Sequence, residues 1–335
     1  MALAAAEKLY SARSLAAELF GAPSPDRVAF TLNATYALNL SILGLVPPQS
    51  HVLISDLEHN SVLRPVEYLK RHRGVSYSVF STEGDVEENV RSQIKKDTRA
   101  LICTHASNVT NKILPLEAIG KVLSDRGILF IVDASQSAGS HRIEMTDWGI
   151  DVLCIPGHKG LLAPQGIGLA IFSERVTPRP FITGGSGVFS REVTMPEDLP
   201  DRLEAGTMPT PAAAGLFEGL KYVMKRGEGD IHEWESKLVK RIRDAFCDDP
   251  RIYTYSGGEG PIWLFNIKGV PSQKTSALLD KQGICTRPGL HCSPLAHKTL
   301  KTPEDGAVRV SAGPLTEPWQ AEHFIRSLSL ILDTL

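Results

Sequence analysis

Four stretches carry residues whose types and spacing could do chemistry. Asp133 follows the apolar run Ile128–Val132, and Gln136 comes three residues later. Ligands of open α/β sheets collect beyond the carboxyl ends of strands, where both side chains would stand. An Asp in that place is also an ordinary helix cap. Gly157-His158-Lys159-Gly160 follows a second strand-like run and leads into Ala163-Pro164-Gln165-Gly166-Ile167-Gly168. Small residues around one lysine admit a flat ligand, and a strand-end ammonium is a candidate Schiff-base amine. The plainer reading is a surface lysine in a glycine turn. Asn33-Ala34-Thr35 precedes a helical stretch, and the outward N–H groups of a helix start suit an oxyanion. Cys292 follows Arg287-Pro288-Gly289-Leu290-His291, whose Pro and Gly favour a turn or mobile loop. Positive charge beside a thiol favours the thiolate, although free cysteines are more often buried and inert.

These groups need a scaffold that brings strand ends together. Short apolar runs suited to strands lie at 28–31, 51–55, 75–80, 99–104, 128–132, 151–155 and 167–172, with helical spacing at 1–20, 37–45, 60–71, 85–95 and 115–124. Runs such as Ile128-Leu-Phe-Ile-Val132 are continuously apolar, as in strands covered on both faces. Their alternation with helices predicts an α/β fold around a mainly parallel sheet. Residues 173–210 are Gly-, Pro- and Thr-rich without periodicity, which suits a functional loop. Beyond them helices are expected at 211–226, 230–246, 273–281 and 318–333, with short strands at 261–267, 283–286 and 307–311. The predicted organisation is a large α/β domain over 1–210 and a smaller α+β domain over 211–335.

Composition excludes several other classes. The chain has 335 residues, with 36 Lys and Arg against 38 Asp and Glu for a net charge of -2. That balance gives no reason to expect a nucleic-acid partner. No apolar run approaches the roughly 18 residues of a membrane span. Cys103, Cys154, Cys247, Cys285 and Cys292 fit neither a disulfide framework nor a metal knuckle. With no export leader at the start, these features lead us to expect a soluble cytoplasmic protein without a metal.

In order, the chain carries Phe30-Thr-Leu-Asn-Ala-Thr-Tyr-Ala-Leu-Asn39, Glu58-His59-Asn60, Ser107-Asn108, Val132-Asp133-Ala-Ser-Gln136 and Gly157-His-Lys159. Glu204-Ala-Gly-Thr207, Arg287-Pro-Gly-Leu-His-Cys292 and Gly306-Ala-Val-Arg309-Val-Ser311 complete the series. From Tyr10 to Leu330 it resembles the class V aminotransferase family of pyridoxal-phosphate enzymes, and within it the cysteine desulfurase and selenocysteine lyase branch. The resemblance implies an aspartate-aminotransferase-like fold and pyridoxal 5'-phosphate as cofactor. Lys159 would bind it covalently and act as base at the substrate Cα. Asp133 would face the pyridine nitrogen, and His59 would lie over the ring. Gln136 and Asn108 would reach the ring hydroxyl or the substrate carboxylate. Ala34, Thr35 and His158 would hold the phosphate, joined by Thr207 across a homodimer interface. Arg309, with Arg287 second to it, would receive the substrate carboxylate. Cys292 would take sulfur from L-cysteine, leaving alanine, and pass its persulfide to an acceptor protein or thiol. L-Selenocysteine would also react.

The match has departures. The family's stretch before the first helix, with an Asn-Ala-Ala-Thr type motif, is not present ahead of Tyr10. Tyr36 stands where Glu is common and Ala34 where Thr is. Pro156 replaces a Ser or Thr that commonly offers the phosphate a hydroxyl, and proline has neither hydroxyl nor N–H. These departures predict weaker cofactor retention. Two other readings stay open: a cysteine, cystine or selenocysteine lyase or epimerase of the same fold, and a non-catalytic dimeric homologue.

Overall fold

The computed structural model describes residues 2–255 and 259–335. The chain divides into two units: 1–105 with 114–228, and 106–113 with 229–335.

The first unit is built on seven strands: β1 (Val28–Thr31), β2 (His51–Ser55), β3 (Ser76–Phe80), β4 (Thr98–Thr104), β5 (Leu129–Asp133), β6 (Val152–Pro156) and β7 (Gly168–Phe172). Their order across the sheet is β1-β7-β6-β5-β4-β2-β3. The five from β6 to β3 are parallel, while β7 runs antiparallel to both β6 and β1. Every residue of β2, β6 and β7 is buried, which explains why these runs are largely apolar instead of alternating. The helices α1 (Ala2–Leu19), α2 (Ala34–Leu45), α3 (Asn60–Arg73), α4 (Val86–Gln93), α5 (Leu116–Leu123) and α6 (Thr210–Arg226) complete the unit. From β2 the chain moves outward to β3, and from β4 it moves the other way to β5. The reversal between β2 and β4 is the switch point at which open α/β sheets take ligands.

The second unit holds α7 (Glu228–Asp244), β8 (Ile252–Thr254), β9 (Ile262–Ile267), α8 (Ser272–Asp280), β10 (Arg287–Gly289), α9 (Pro294–Thr299), β11 (Ala307–Ser311) and α10 (Pro318–Thr334). Its antiparallel sheet has the order β10-β11-β9-β8. One face buries Trp263 and Phe265 of β9 with Phe246 and with Phe324 and Leu328 of α10.

Two expectations need correction. The division falls at Glu228–Gly229 instead of near 211 because α6 packs along α1 and so belongs to the first unit. The small strand lies at Arg287–Gly289, not at 283–286. There it pairs with β11, with Arg287 opposite Arg309. The sequence also gave no sign that residues 106–113 join the second unit. Asn111 joins them to it: its side chain accepts the Ile262 N–H at 2.9 Å and donates to the Ile262 carbonyl at 2.5 Å, like one more residue of a strand.

Candidate active site

In the first unit the predicted residues gather at one edge of the sheet. Asp133 ends β5, and the Gly157–Gly160 turn follows the neighbouring parallel strand β6. Because β1 and β6 are both antiparallel to β7, they run the same way. Thr31 and Pro156 both pair with Gly168, so the start of α2 shares that edge. Glycine makes these approaches possible. A Cβ on Gly160 would lie 2.2 Å from the Ala138 carbonyl, and one on Gly168 would lie 2.9 Å from Asn33 Cα. The turn after Asp133 thus packs backbone to backbone on the turn that carries Lys159.

Asp133 is nearly buried. Its Oδ1 accepts the Ser135 N–H at 2.9 Å, while Oδ2 takes part in no hydrogen bond among the described residues. Gln136 is half-buried in the following turn. Lys159 is exposed, because the turn carries it out past the strand end. Desolvation and then the Lys159 ammonium lower the pKa of His158, so it meets an anion as a neutral donor. At the start of α2, Asn33 Oδ1 caps the Tyr36 N–H at 3.0 Å. The N–H groups of Ala34 and Thr35 find no acceptor among the described residues. The Thr35 and Ser61 hydroxyls are 2.8 Å apart.

His59 is the N-cap of α3, its Nδ1 accepting the Ser61 N–H at 3.1 Å. Capping, the plainer of its two readings, is therefore a real part of its role. Because Nδ1 accepts in the cap, the ring proton stands on Nε2. The sequence reading gave Glu58 no role. It is fully buried, and its Oε1 accepts the Ser55 hydroxyl and, at 2.9 Å, the Thr104 N–H. Burial pushes its carboxyl up to about 8, with Asp133 adding to the rise, so it is a neutral acid at pH 7. Thr207 stands exposed on a turn anchored by Glu204, which takes both guanidinium nitrogens of Arg13 at 2.8 and 2.6 Å and the Phe30 N–H at 2.6 Å.

The second unit holds the remaining candidates. Arg309 and Arg287 face each other across β11 and β10, an arrangement that like charges oppose unless an anion relieves it. Arg309 donates to the Asn108 carbonyl at 2.9 Å and keeps a buried, unpartnered Nε–H. Burial and then Arg287 lower its pKa, yet it stays a cation at pH 7. The Asn108 side chain, expected to reach a ring hydroxyl or substrate carboxylate, holds the Cys292 loop instead. Its Nδ2 donates to the His291 carbonyl at 2.9 Å, and its Oδ1 accepts the Ser293 hydroxyl at 2.8 Å. Cys292 is exposed. His291 lends it no charge: burial pushes the imidazole down to about 4, and it is neutral at pH 7. Cys103 and Cys154 are core residues, and Cys247 and Cys285 are exposed and free.

A buried carboxylate, an exposed lysine and a helix start with two unused N–H groups thus share one edge of an α/β sheet. The chain belongs to the class-V aminotransferase family, whose profile matches residues 1–323, and falls in its cysteine desulfurase branch. A "Probable cysteine desulfurase" of Pyrococcus abyssi is 30% identical over 349 residues, covering 99% of this chain and 85% of the relative. Another of the same description, from Methanothermobacter thermautotrophicus, is 32% identical over 323 residues, covering 93% and 80%. Among solved structures, the apo cysteine desulfurase of Thermococcus onnurineus superposes with a TM-score of 0.90 at 28% identity, covering 99% of this chain and 86% of that one. The fold is the pyridoxal-phosphate aminotransferase type. The residues present fit that cofactor: Asp133 Oδ2 is available to a ring nitrogen, and the N–H groups of Ala34 and Thr35 are available to a phosphate. Among the described residues there is no cluster suited to a metal, and no helix is long and apolar enough to cross a membrane.

Proposed function

We propose that this protein is a pyridoxal 5'-phosphate-dependent cysteine desulfurase that moves sulfur from L-cysteine to Cys292 and releases L-alanine. The observation that carries the substrate reading is the arginine pair Arg287–Arg309 in the same unit as an exposed thiol on a clamped loop. When bound, the cofactor supplies an electron sink for the pair left at a substrate Cα.

Lys159 would hold the cofactor and take the Cα proton onto Nζ. Asp133 would keep the pyridine nitrogen protonated through Oδ2. Ala34, Thr35, His158 and, from a second copy, Thr207 would hold the phosphate. His59 would cover the ring face, and Gln136 would meet the ring hydroxyl. Arg309, assisted by Arg287, holds the substrate carboxylate in a two-pronged grip that fixes the direction of the Cα–H bond. The Cys292 thiolate then attacks the substrate Sγ. The new S–S bond forms as Cβ–Sγ breaks, the electron pair of the broken bond is protonated on Cβ, and Lys159 Nζ returns a proton to Cα to give alanine. Cys292 is left as a persulfide for an acceptor thiol or protein. Selenocysteine is accepted by the same carboxylate grip.

Purified protein supplied with cofactor and L-cysteine is expected to form alanine, with one sulfur atom added to the Cys292 peptide by mass spectrometry. Cys292→Ala should lose alanine formation while keeping the visible absorption of bound cofactor. Alanine formed undiminished by that variant would overturn the covalent role. Sulfide and pyruvate in place of alanine would point to a lyase.

A further inference from the structure

The loop of Cys292 is held in a costly backbone state. His291 and Cys292 stand side by side at φ +53° and +57°, in the left-handed region that side chains other than glycine resist. Such residues persist only where the surroundings over-determine them. Asn108 supplies one restraint. The other is a row of hydrogen bonds on the far side of His291. Its Nε2 lies 2.9 Å from the Arg287 carbonyl, its Nδ1 lies 2.9 Å from His297 Nε2, and His297 Nδ1 lies 2.8 Å from the Thr302 hydroxyl. The two rings stack with centroids 5.2 Å apart.

The proton positions in this row follow from its first member. A carbonyl only accepts, so His291 Nε2 carries a hydrogen. Burial pushes both imidazoles down to about 4, so each has a single ring proton at pH 7. His291 Nδ1 must then accept, and His297 Nε2 must donate to it. His297 Nδ1 is in turn left to accept from Thr302. One arrangement satisfies every member: the Arg287 carbonyl sets it, and the Thr302 hydroxyl, which also lies 3.4 Å from the Pro303 carbonyl, completes it.

We propose that His297 and Thr302 are positioning residues for Cys292: the hydrogen-bond row from Thr302 to the Arg287 carbonyl fixes His291 and thereby presents the thiol. The functional meaning rests on the reading of Cys292 as sulfur acceptor, but the row itself can be observed without it.

The test uses the holoenzyme and its Thr302→Val and Thr302→Ser variants. Nitrogen NMR of the imidazoles should find the Nε2–H form for both His291 and His297 in the wild type, a result independent of any substitution. Val fills the space without a donor. It should leave His297 Nδ1 without a hydrogen bond, read as a shift of that nitrogen resonance, and give at least about tenfold faster amide exchange at Ser293, whose N–H bonds the Leu290 carbonyl across the loop at 2.9 Å. The same variant should lower kcat about tenfold with KM little changed, an effect on the presented thiol and not on binding. Ser should restore all three. An Nδ1–H or doubly protonated form at either histidine in the wild type would overturn the proposal, as would an unchanged His297 Nδ1 resonance and unchanged exchange in the Val variant. The exchange and resonance effects without any persulfide on Cys292 would uphold the row and remove the sulfur-acceptor reading instead.

Discussion

At the scale of single residues, the molecule separates groups that react from groups that hold. Glu58 shows the difference. Its motif is visible in the sequence, but its work lies in tertiary structure: its carboxyl satisfies the Thr104 N–H where the β2–β4 ladder has ended at Ile54 and Ile102. Its carboxyl stays protonated up to about 8, against an ordinary value of 4.5. Between those values the folded chain holds a proton that the unfolded chain has lost. The stability Glu58 contributes is therefore full below about pH 4.5 and is lost as the pH rises through about 8. Glu228, pushed up to about 7 chiefly by burial, adds to the same trend. Glu58→Gln keeps the accepting oxygen and removes the titration. Its melting temperature, followed by calorimetry from about pH 5 to about pH 8.5, should fall less than that of the wild type. An equal fall in both would refute the assignment.

At the scale of elements, most strand and helix positions were legible, and the exceptions have physical reasons. The runs at 28–31, 51–55 and 307–311 are strands with those bounds. Buried parallel or central strands need no more than a short apolar run to be seen. The strand at Arg287–Gly289 was missed because it is a three-residue edge segment, Arg-Pro-Gly, defined by its partner β11 and not by its own pattern. The short α9 was missed for a similar reason: six residues cannot show a period. Asp133, Lys159 and Thr35 could be placed from the sequence because each follows a strand that could be read. The change of partner at Asn108 could not be read, since nothing local reveals that the 106–113 segment returns to another unit. The close approach of the turns after β5 and β6 gives a prediction at this scale. Gly160→Ala puts a methyl against the Ala138 carbonyl and should cost about 1–3 kcal/mol, as overpacking does. Cofactor uptake should weaken with it. Thermal unfolding with and without added cofactor checks both, and a variant as stable as the wild type would show that the turns can separate.

At the scale of the whole molecule, the segment between β7 and α6 stands out. From Ser173 to Pro209 it has neither helix nor strand, and it leaves Phe181, Ile182, Val188, Phe189 and Val193 exposed. Thr207 lies just beyond them, on the turn that the Arg13–Glu204 pair anchors. A second copy of the chain covering this surface would explain the exposed apolar side chains. Sedimentation is expected to find a two-chain species. Thr207→Ala should leave that species intact while weakening pyridoxal 5'-phosphate about tenfold, the size of one charge-assisted hydrogen bond. A monomer that retains cofactor as tightly as the assembled protein would exclude this arrangement.

The excursion at 106–113 has a consequence for how the protein can be dissected. Asn111 completes a strand edge beside Ile262, and Asn108 secures the turn of Cys292, yet both are encoded more than a hundred positions before most of the unit they serve. A gene fragment beginning at Gly229 would thus yield a polypeptide lacking two of its own fastenings. During synthesis on the ribosome, these eight residues emerge early and must wait for later chain before they have anything to grip.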